Sequence, residues 1–587
     1  MANPFYLDTE DVLWVTETLR AMSLEEKVGQ LFCPMGFNSD EAFLNHLICE
    51  KHVGAMMYRP DSAKNIRNAH QMIQNMTKIP LLLAANTECG GNGLAAEGTS
   101  FGKPMAVAAT GDPENAYRMG FTACKEGAAL GMNWSFAPIV DLDLEFHNPI
   151  TNVRTFGSNV ETVIECASAY MRGADENHVA VAIKHFPGDG TDERDQHILT
   201  SVNQLSCEEW DASYGKVYQT LIDQGAKTVM VGHIAQPEYV KRINPEASIR
   251  EQYLPASLSG ELLTGLLRGR LNFNGLISSD ATPMVGFTSA MPRKDAIPRM
   301  IAAGCDMILF NKSLDEDFEY LMEGIKAGIV TEERLDEAVT RILATKASLK
   351  LHKKQKWGTL VPAEDSMQII GCEEFCEWAR QTADDSITLV KDTNHLLPIS
   401  PKKYKRVYLN VIQKDLNPDN PVALAWKERF EKEGFEVTLR DRTVSVTPRE
   451  LGNPASATQA QRELIHEMYR GIEEMKKSYD LYVYICNMEN ASNNTTLRLN
   501  WNVAFGLGDD APWHASEIPM LMISTAYPYH LFDAPMIPTY INAYSSEPEF
   551  CQAVMEKIMG RSEFKGRSPV DPFCGKDYIR KYAEMEA

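Results

Sequence analysis

The sequence is poor in positive charge. It holds 58 Lys plus Arg against 80 Asp plus Glu among 587 residues, a formal charge of −22. Nucleic acid and anionic membrane surfaces would be repelled by such a chain at long range, so neither is expected as a partner. No run of 18 apolar residues occurs, which excludes a membrane-spanning helix. The N-terminal residues Met1 to Asp8 show no basic segment leading into an apolar one, so no secretory signal is expected. The 12 cysteines show no Cys-x-x-Cys spacing; Cys372 and Cys376 stand at a helical i,i+4 interval but read best as incidental thiols. Without a disulfide framework or a signal, a reducing, cytoplasmic location is expected, where the N-x-S/T triplets at Asn490 and Asn494 carry no meaning. Low-complexity segments and internal repeats are absent as well.

What remains is ordinary globular composition, 44% hydrophobic and 24% charged, with a length that suggests two to four domains at roughly 150 residues each. The first 350 residues alternate short apolar runs with longer amphipathic stretches. Eight such runs fall at 31–35, 54–58, 80–85, 133–138, 179–183, 228–231, 275–279 and 306–310. Near-continuous apolarity suits strands buried on both faces, and eight β/α repeats favour a TIM-type (β/α)8 barrel over 1–350. A doubly wound open sheet is the alternative. Residues 351–371, with Lys353-Lys354-Gln355-Lys356, read as a linker. Over 372–587 further strand-like runs, at 386–390, 407–412, 481–486, 520–524 and 540–543, mark a smaller α/β sandwich domain. That second region lacks both Gly-x-Gly-x-x-Gly and a P-loop, so it offers no nucleotide-binding signature.

Polar chemistry concentrates at the strand ends. Lys184-His185-Phe186-Pro187-Gly188-Asp189-Gly190-Thr191-Asp192-Glu193-Arg194-Asp195-Gln196-His197 follows the fifth run, where a barrel builds its active-site face. Asp195 and His197 are spaced so that the carboxylate can orient the imidazole. The plain alternatives are a snorkelling Lys184, a core His185 and a solvated turn. Asp189, Asp192, Asp195 and His197 could also be read as metal ligands, but no recognised ligand spacing supports this, and no metal or other cofactor is expected. The seventh run ends in Asp280, placed as a nucleophile or as a helix N-cap. The third run ends in Asn86-Thr87-Glu88, and the fourth leads through Asp141 to Arg154. Convergence of these groups on one face points to a site for a small polar molecule.

The segment 184–197 resembles the Lys-His-Phe-Pro-Gly…Asp-x-His motif of glycoside hydrolase family 3, in its β-N-acetylglucosaminidase branch. Met22 to Leu31, Phe136 to Asp141, Arg154 to Gly157, Met230 to Ile234 and Ala303 to Met307 are similar to other family segments, and 388–398 to the two-domain members. The resemblance implies a retaining, exo-acting β-N-acetylglucosaminidase acting on a small glycoside or glycan fragment. In it Asp280 would be the nucleophile, His197 the acid/base and Asp195 its partner. Asn86, Arg154, Lys184 and His185 would bind the sugar, and Asp141 would be structural. The family aspartate of the third strand is Asn86 here and Cys89 interrupts the following glycines, which puts the sugar's identity in doubt. The same dyad would permit phosphate as acceptor, making the enzyme a phosphorylase; a family 3 β-glycosidase of altered sugar specificity and an inert carbohydrate-binding protein are the other readings. The second domain could shape a homodimer.

Overall fold

The computed structural model describes residues 3–585 apart from 415–419, 489–491, 494, 496–497, 500 and 502–509. Asn490 and Asn494 thus lie outside the described residues. The chain forms two compact units. The first comprises Met1–Pro104, Asp112–Ala379 and the short piece Ser492–Thr495; the second comprises Met105–Gly111, Arg380–Ala491 and Thr496–Ala587.

The first unit is a parallel barrel. Its strands are β1 (Phe32–Cys33), β2 (Met35–Gly36), β3 (Ala55–Tyr58), β4 (Leu82–Ala85), β5 (Trp134–Ser135), β6 (Ala180–Phe186), β7 (Thr228–Val231), β8 (Leu276–Ala281) and β9 (Met307–Leu309). They hydrogen-bond in the order β1-β9-β8-β7-β6-β5-β4-β3-β2. β1 and β2 flank Pro34 on one continuous stretch. Phe32 and Cys33 pair with Ile308 and Leu309, while Met35 and Gly36 pair with Met57 and Tyr58, so this single run joins the two ends of the sheet. Proline cannot donate to a ladder and is tolerated at such a change of partner. The eight apolar runs of the sequence are these strands, and β3, β4, β6 and β7 are buried along their whole length. Side chains fill the interior: Trp134 is fully buried, donates its indole N–H to Thr228 Oγ1 at 2.9 Å, and meets Phe136 edge-on at 4.7 Å. A short parallel pair, Ser201–Val202 with Ile234–Ala235, ties the loop after β6 to the loop after β7.

The segment 351–371, expected as a linker, carries a helix at Leu351–Trp357 and a 3-10 turn at Glu364–Ile369 and belongs to the first unit. One of its lysines has specific partners. Lys353 Nζ lies 3.1 to 3.4 Å from carboxylates of Asp8, Glu10 and Asp11 at the start of the helix Thr9–Ala21. Gly358, at φ 70, ends the helix in the left-handed conformation that glycine adopts freely.

The second unit holds a six-stranded sheet in the order β10-β15-β14-β13-β11-β12, where β10 is Thr388–Asp392, β11 Arg406–Gln413, β12 Glu436–Leu439, β13 Leu481–Asn487, β14 Met520–Ser524 and β15 Thr539–Asn542. β10 is antiparallel to β15 and the other pairs are parallel. Tyr408, Tyr482, Tyr484, Met520, Met522 and Tyr540 form part of one buried cluster on this sheet. The edge strand β12 was not expected; its residues alternate exposed and half-buried, so it lacks the apolar run that marks the others. Among the described residues no helix is long and apolar enough to cross a membrane.

One buried charge cluster braces the barrel below the mouth. Asp306, with no exposed side-chain surface, accepts from Arg268 and Arg334, each at 2.6 Å, and from the Ile277 backbone N–H at 2.9 Å. Removing one partner of such a group leaves buried charge uncompensated. Asp306→Ala is therefore expected to lower unfolding free energy by about 3–5 kcal/mol in urea titration; a loss under about 1 kcal/mol would show the cluster to be dispensable.

Candidate active site

β6 is apolar through Ile183 and then places two consecutive polar side chains, Lys184 and His185, at the barrel mouth, both almost fully buried. Each has its own carboxylate partner. Lys184 Nζ donates to Glu88 Oε1 at 2.6 Å. The same carboxylate takes Arg154 through Nε to Oε2 at 3.2 Å and through a terminal nitrogen to Oε1 at 2.9 Å. Burial pushes the Glu88 carboxyl up, but Arg154 and Lys184 outweigh it and hold it well below the ordinary glutamate value. The arginine is shifted the other way: burial lowers it, and Glu88 more than restores it.

His185 turns to the other carboxylate. Its Nδ1 lies 2.7 Å from Asp141 Oδ2, while Asp141 Oδ1 accepts the backbone N–H groups of His185 at 3.1 Å and Asp189 at 2.8 Å. With Nδ1 turned to Asp141, the other ring nitrogen Nε2 faces Asp280, whose Oδ2 is 3.8 Å away. Asp141, expected to be structural, thus orients a residue that touches the candidate nucleophile.

Asp280 ends β8, with its side chain 14% exposed and Oδ1 accepting the Ala281 N–H at 2.7 Å. Burial raises its carboxyl, but neighbours led by His185, together with that N–H, bring it below the ordinary aspartate value. It is therefore an anion at neutral pH. His233, from the loop after β7, stands behind it. Its Nε2 donates to the Ala281 carbonyl at 3.0 Å and its Nδ1 accepts from Ser257 Oγ at 2.9 Å. Burial pushes this imidazole down to about 4, which keeps it neutral.

The loop between β6 and Ser201 carries Asp195 and His197. Asp195 Oδ1 meets His197 Nδ1 at 2.6 Å and accepts the His197 backbone N–H at 2.8 Å. Burial raises the Asp195 carboxyl and its hydrogen bonds with His197 more than offset this, so the group is ionised. His197 is a quarter exposed, leaving Nε2 free to face a ligand. Two glycines let the loop leave the barrel. Gly188 and Gly190 have φ of 117° and 102°, and an added Cβ would lie 2.1 Å from the Tyr214 ring and 1.9 Å from the Leu142 carbonyl oxygen.

The structure joins Arg154 and Lys184 through Glu88, sets His185 beside Asp280, and pairs Asp195 with His197. Asn86 lies exposed one residue beyond β4 and takes no part in these hydrogen bonds. The loop carboxylates that might have held a metal are committed to protein partners. Asp192 takes Arg194 at 2.6 and 2.8 Å, and Asp189 takes the Gly190 N–H, Asn148 and Gln196. No cluster of His, Cys, Asp or Glu suited to a metal occurs among the described residues. Sequence reasoning placed Glu88 at the end of the third run and His233 in a family-like segment but gave neither a role. A signal for Glu88 was present, since a buried Lys184 and an Arg154 at neighbouring strand ends require a carboxylate between them.

Residues 23–345 match the glycosyl hydrolase family 3 N-terminal domain. A β-N-acetylglucosaminidase/β-glucosidase of Cellulomonas fimi is 42% identical over 98% of both chains. A β-hexosaminidase of Stenotrophomonas maltophilia strain K279a is 30% identical, covering 42% of this chain and 72% of its own. Among solved structures, the β-glucoside phosphorylase BglX bound to 2FGlc superposes with a TM-score of 0.90 at 43% identity, covering 98% of this chain and 99% of its own.

The Glu88 clamp generates a prediction. Glu88→Gln leaves two buried cations facing a neutral amide, so kcat/KM should fall about 10- to 100-fold, and unfolding free energy should drop by about 1–3 kcal/mol at neutral pH. A carboxyl depressed in the folded state stabilises above its unfolded value, about 4.3, and that stability is lost as pH falls through the lower folded value. The stability gap between wild type and variant should therefore be full at pH 6 to 7 and shrink only below about pH 4. Denaturant titration at several pH values checks this; a gap that does not change with pH would contradict it.

Proposed function

The chain belongs to glycosyl hydrolase family 3, and from that premise we propose that it removes terminal β-linked N-acetylglucosamine or glucose from small glycosides by double displacement with retention. The observation that carries this reading is the Asp280 carboxylate, held ionised at a strand end beside His185, on the same barrel face as an Asp195–His197 dyad. In the first step an Asp280 oxygen bonds to the anomeric carbon as the bond to the aglycone oxygen breaks. That oxygen leaves with the proton from His197 Nε2. In the second step water attacks the same carbon, His197 recovers a proton, and the Asp280 ester is released. Asp195 holds the imidazole in the Nδ1–H form and balances its charge while it is protonated. Lys184 and Arg154, bridged by Glu88, retain donors for sugar hydroxyls, and His185 Nε2 adds a contact beside the anomeric centre.

Asn86 stands where the family aspartate grips the distal hydroxyls. A neutral amide still hydrogen-bonds but gives up charge assistance, about 1–2 kcal/mol, which relaxes the demand for one sugar. The Cellulomonas fimi relative carries both activities in its name, in keeping with such tolerance.

Phosphate as the second-step acceptor is the other reading, favoured by two observations. Relatives at 43% identity over nearly the whole chain are β-glucoside phosphorylases. The proton donor is an imidazole that becomes neutral once its proton has left, so an incoming phosphate meets no fresh carboxylate there, and the nucleophile's charge has been consumed in the ester. Phosphate needs no general base to attack.

The test is turnover of β-N-acetylglucosaminides and β-glucosides of chromogenic alcohols, with and without inorganic phosphate, with products identified by mass. Glycosidase action predicts free sugar at a rate independent of phosphate. Phosphorolysis predicts sugar phosphate and a rate that rises with phosphate. Activity on neither sugar class would contradict both.

A further inference from the structure

Both oxygens of Asp195 are occupied. While Oδ1 holds His197, Oδ2 accepts the backbone N–H of Asn493 at 2.6 Å. Asn493 comes 298 positions later in the chain, yet its turn, Ser492–Thr495, belongs to the barrel unit. The Asp195 side chain has no exposed surface. A buried carboxylate oxygen without a donor is costly, so this N–H supplies what water cannot. The loop 187–200 contains neither helix nor strand, so its secondary structure does not fix the rotation of the Asp195 carboxylate. Asn493 has φ 68, in the left-handed region that asparagine tolerates and β-branched residues avoid. The residue type therefore matches the backbone conformation that aims its N–H.

We infer that the turn at Ser492 and Asn493 is a positioning element for the acid/base, the Asn493 N–H fixing the plane of the Asp195 carboxylate and through it the aim of the His197 imidazole at the glycosidic oxygen. The inference rests on the reading of His197 as proton donor. Asn493 touches no reacting atom. It acts through Asp195, whose ionised form it helps to hold against burial. Proton donation matters most when the leaving group is a poor one and little when the departing alcohol is strongly acidic. A mis-aimed donor therefore has a signature that general loosening of the site does not share.

The experiment compares kcat/KM on two glycosides of one sugar, one with an alkyl and one with a dinitrophenyl aglycone, in the full-length enzyme. His197→Ala sets the reference for a missing donor. Asn493→Pro removes the N–H, Asn493→Val keeps it but disfavours φ 68, and Asn493→Gly keeps both. The expected result is a fall of about tenfold or more on the alkyl glycoside for the Pro and Val variants, with the dinitrophenyl glycoside within about threefold of wild type and the Gly variant restored on both. If the Pro variant does not fold, the Val variant carries the comparison. Equal losses on the two glycosides, or none, while His197→Ala shows the selective loss, would overturn the role of the turn and leave the acid/base intact. If His197→Ala itself treats the two glycosides alike, the acid/base assignment falls and this inference with it.

Discussion

The site depends on a constraint at the end of β6, where two adjacent buried side chains, Lys184 and His185, each demand a carboxylate. Buried polar and charged groups persist only when paired. Glu88 from the loop after β4 answers Lys184, and Asp141 from the segment after β5 answers His185. Arg154 then completes the Glu88 pair, and Asp141 also gathers the Asp189 N–H at the start of the acid/base loop. Three neighbouring strand ends are thereby locked in one arrangement by two carboxylates, and that arrangement leaves His185 Nε2 beside Asp280.

The same electrostatics separates the carboxylates by role. Glu88 and Asp195 are anions with dedicated cations or N–H donors, and neither is available as a nucleophile. Asp280, no more exposed than Glu88, makes no such short ion pair; its nearest ionisable neighbour is His185 at 3.8 Å. A carboxylate that is charged but not consumed by a short ion pair is what a displacement at the anomeric carbon needs. The neutral His233 behind it secures the Ala281 carbonyl without adding a competing charge.

Much of the fold was legible in the sequence because the barrel strands are buried on both faces and announce themselves as apolar runs. The edge strand β12, with its alternating exposure, carried no such run. The segment 351–371 looked like a linker because its lysines read as solvated charge; only the acidic start of the helix Thr9–Ala21 explains them. The residues proposed as dyad, nucleophile and Lys-His pair were nominated from spacing and from resemblance to the family. Their partners were not. Glu88 is 96 residues from Lys184, His233 48 from Ala281, and Asn493 298 from Asp195, so their chemistry is set by chain separations that no local pattern encodes.

The account turns on Asp280 as the residue that receives the sugar. The most direct measurement is to trap the enzyme with a fluorinated β-glycoside whose second step is slow, digest it, and locate the label by mass spectrometry. The account predicts one sugar per chain, bonded to the peptide containing Asp280 and released on adding the productive acceptor. A label on any other carboxylate, or no covalent adduct under conditions that inactivate the enzyme, would contradict it.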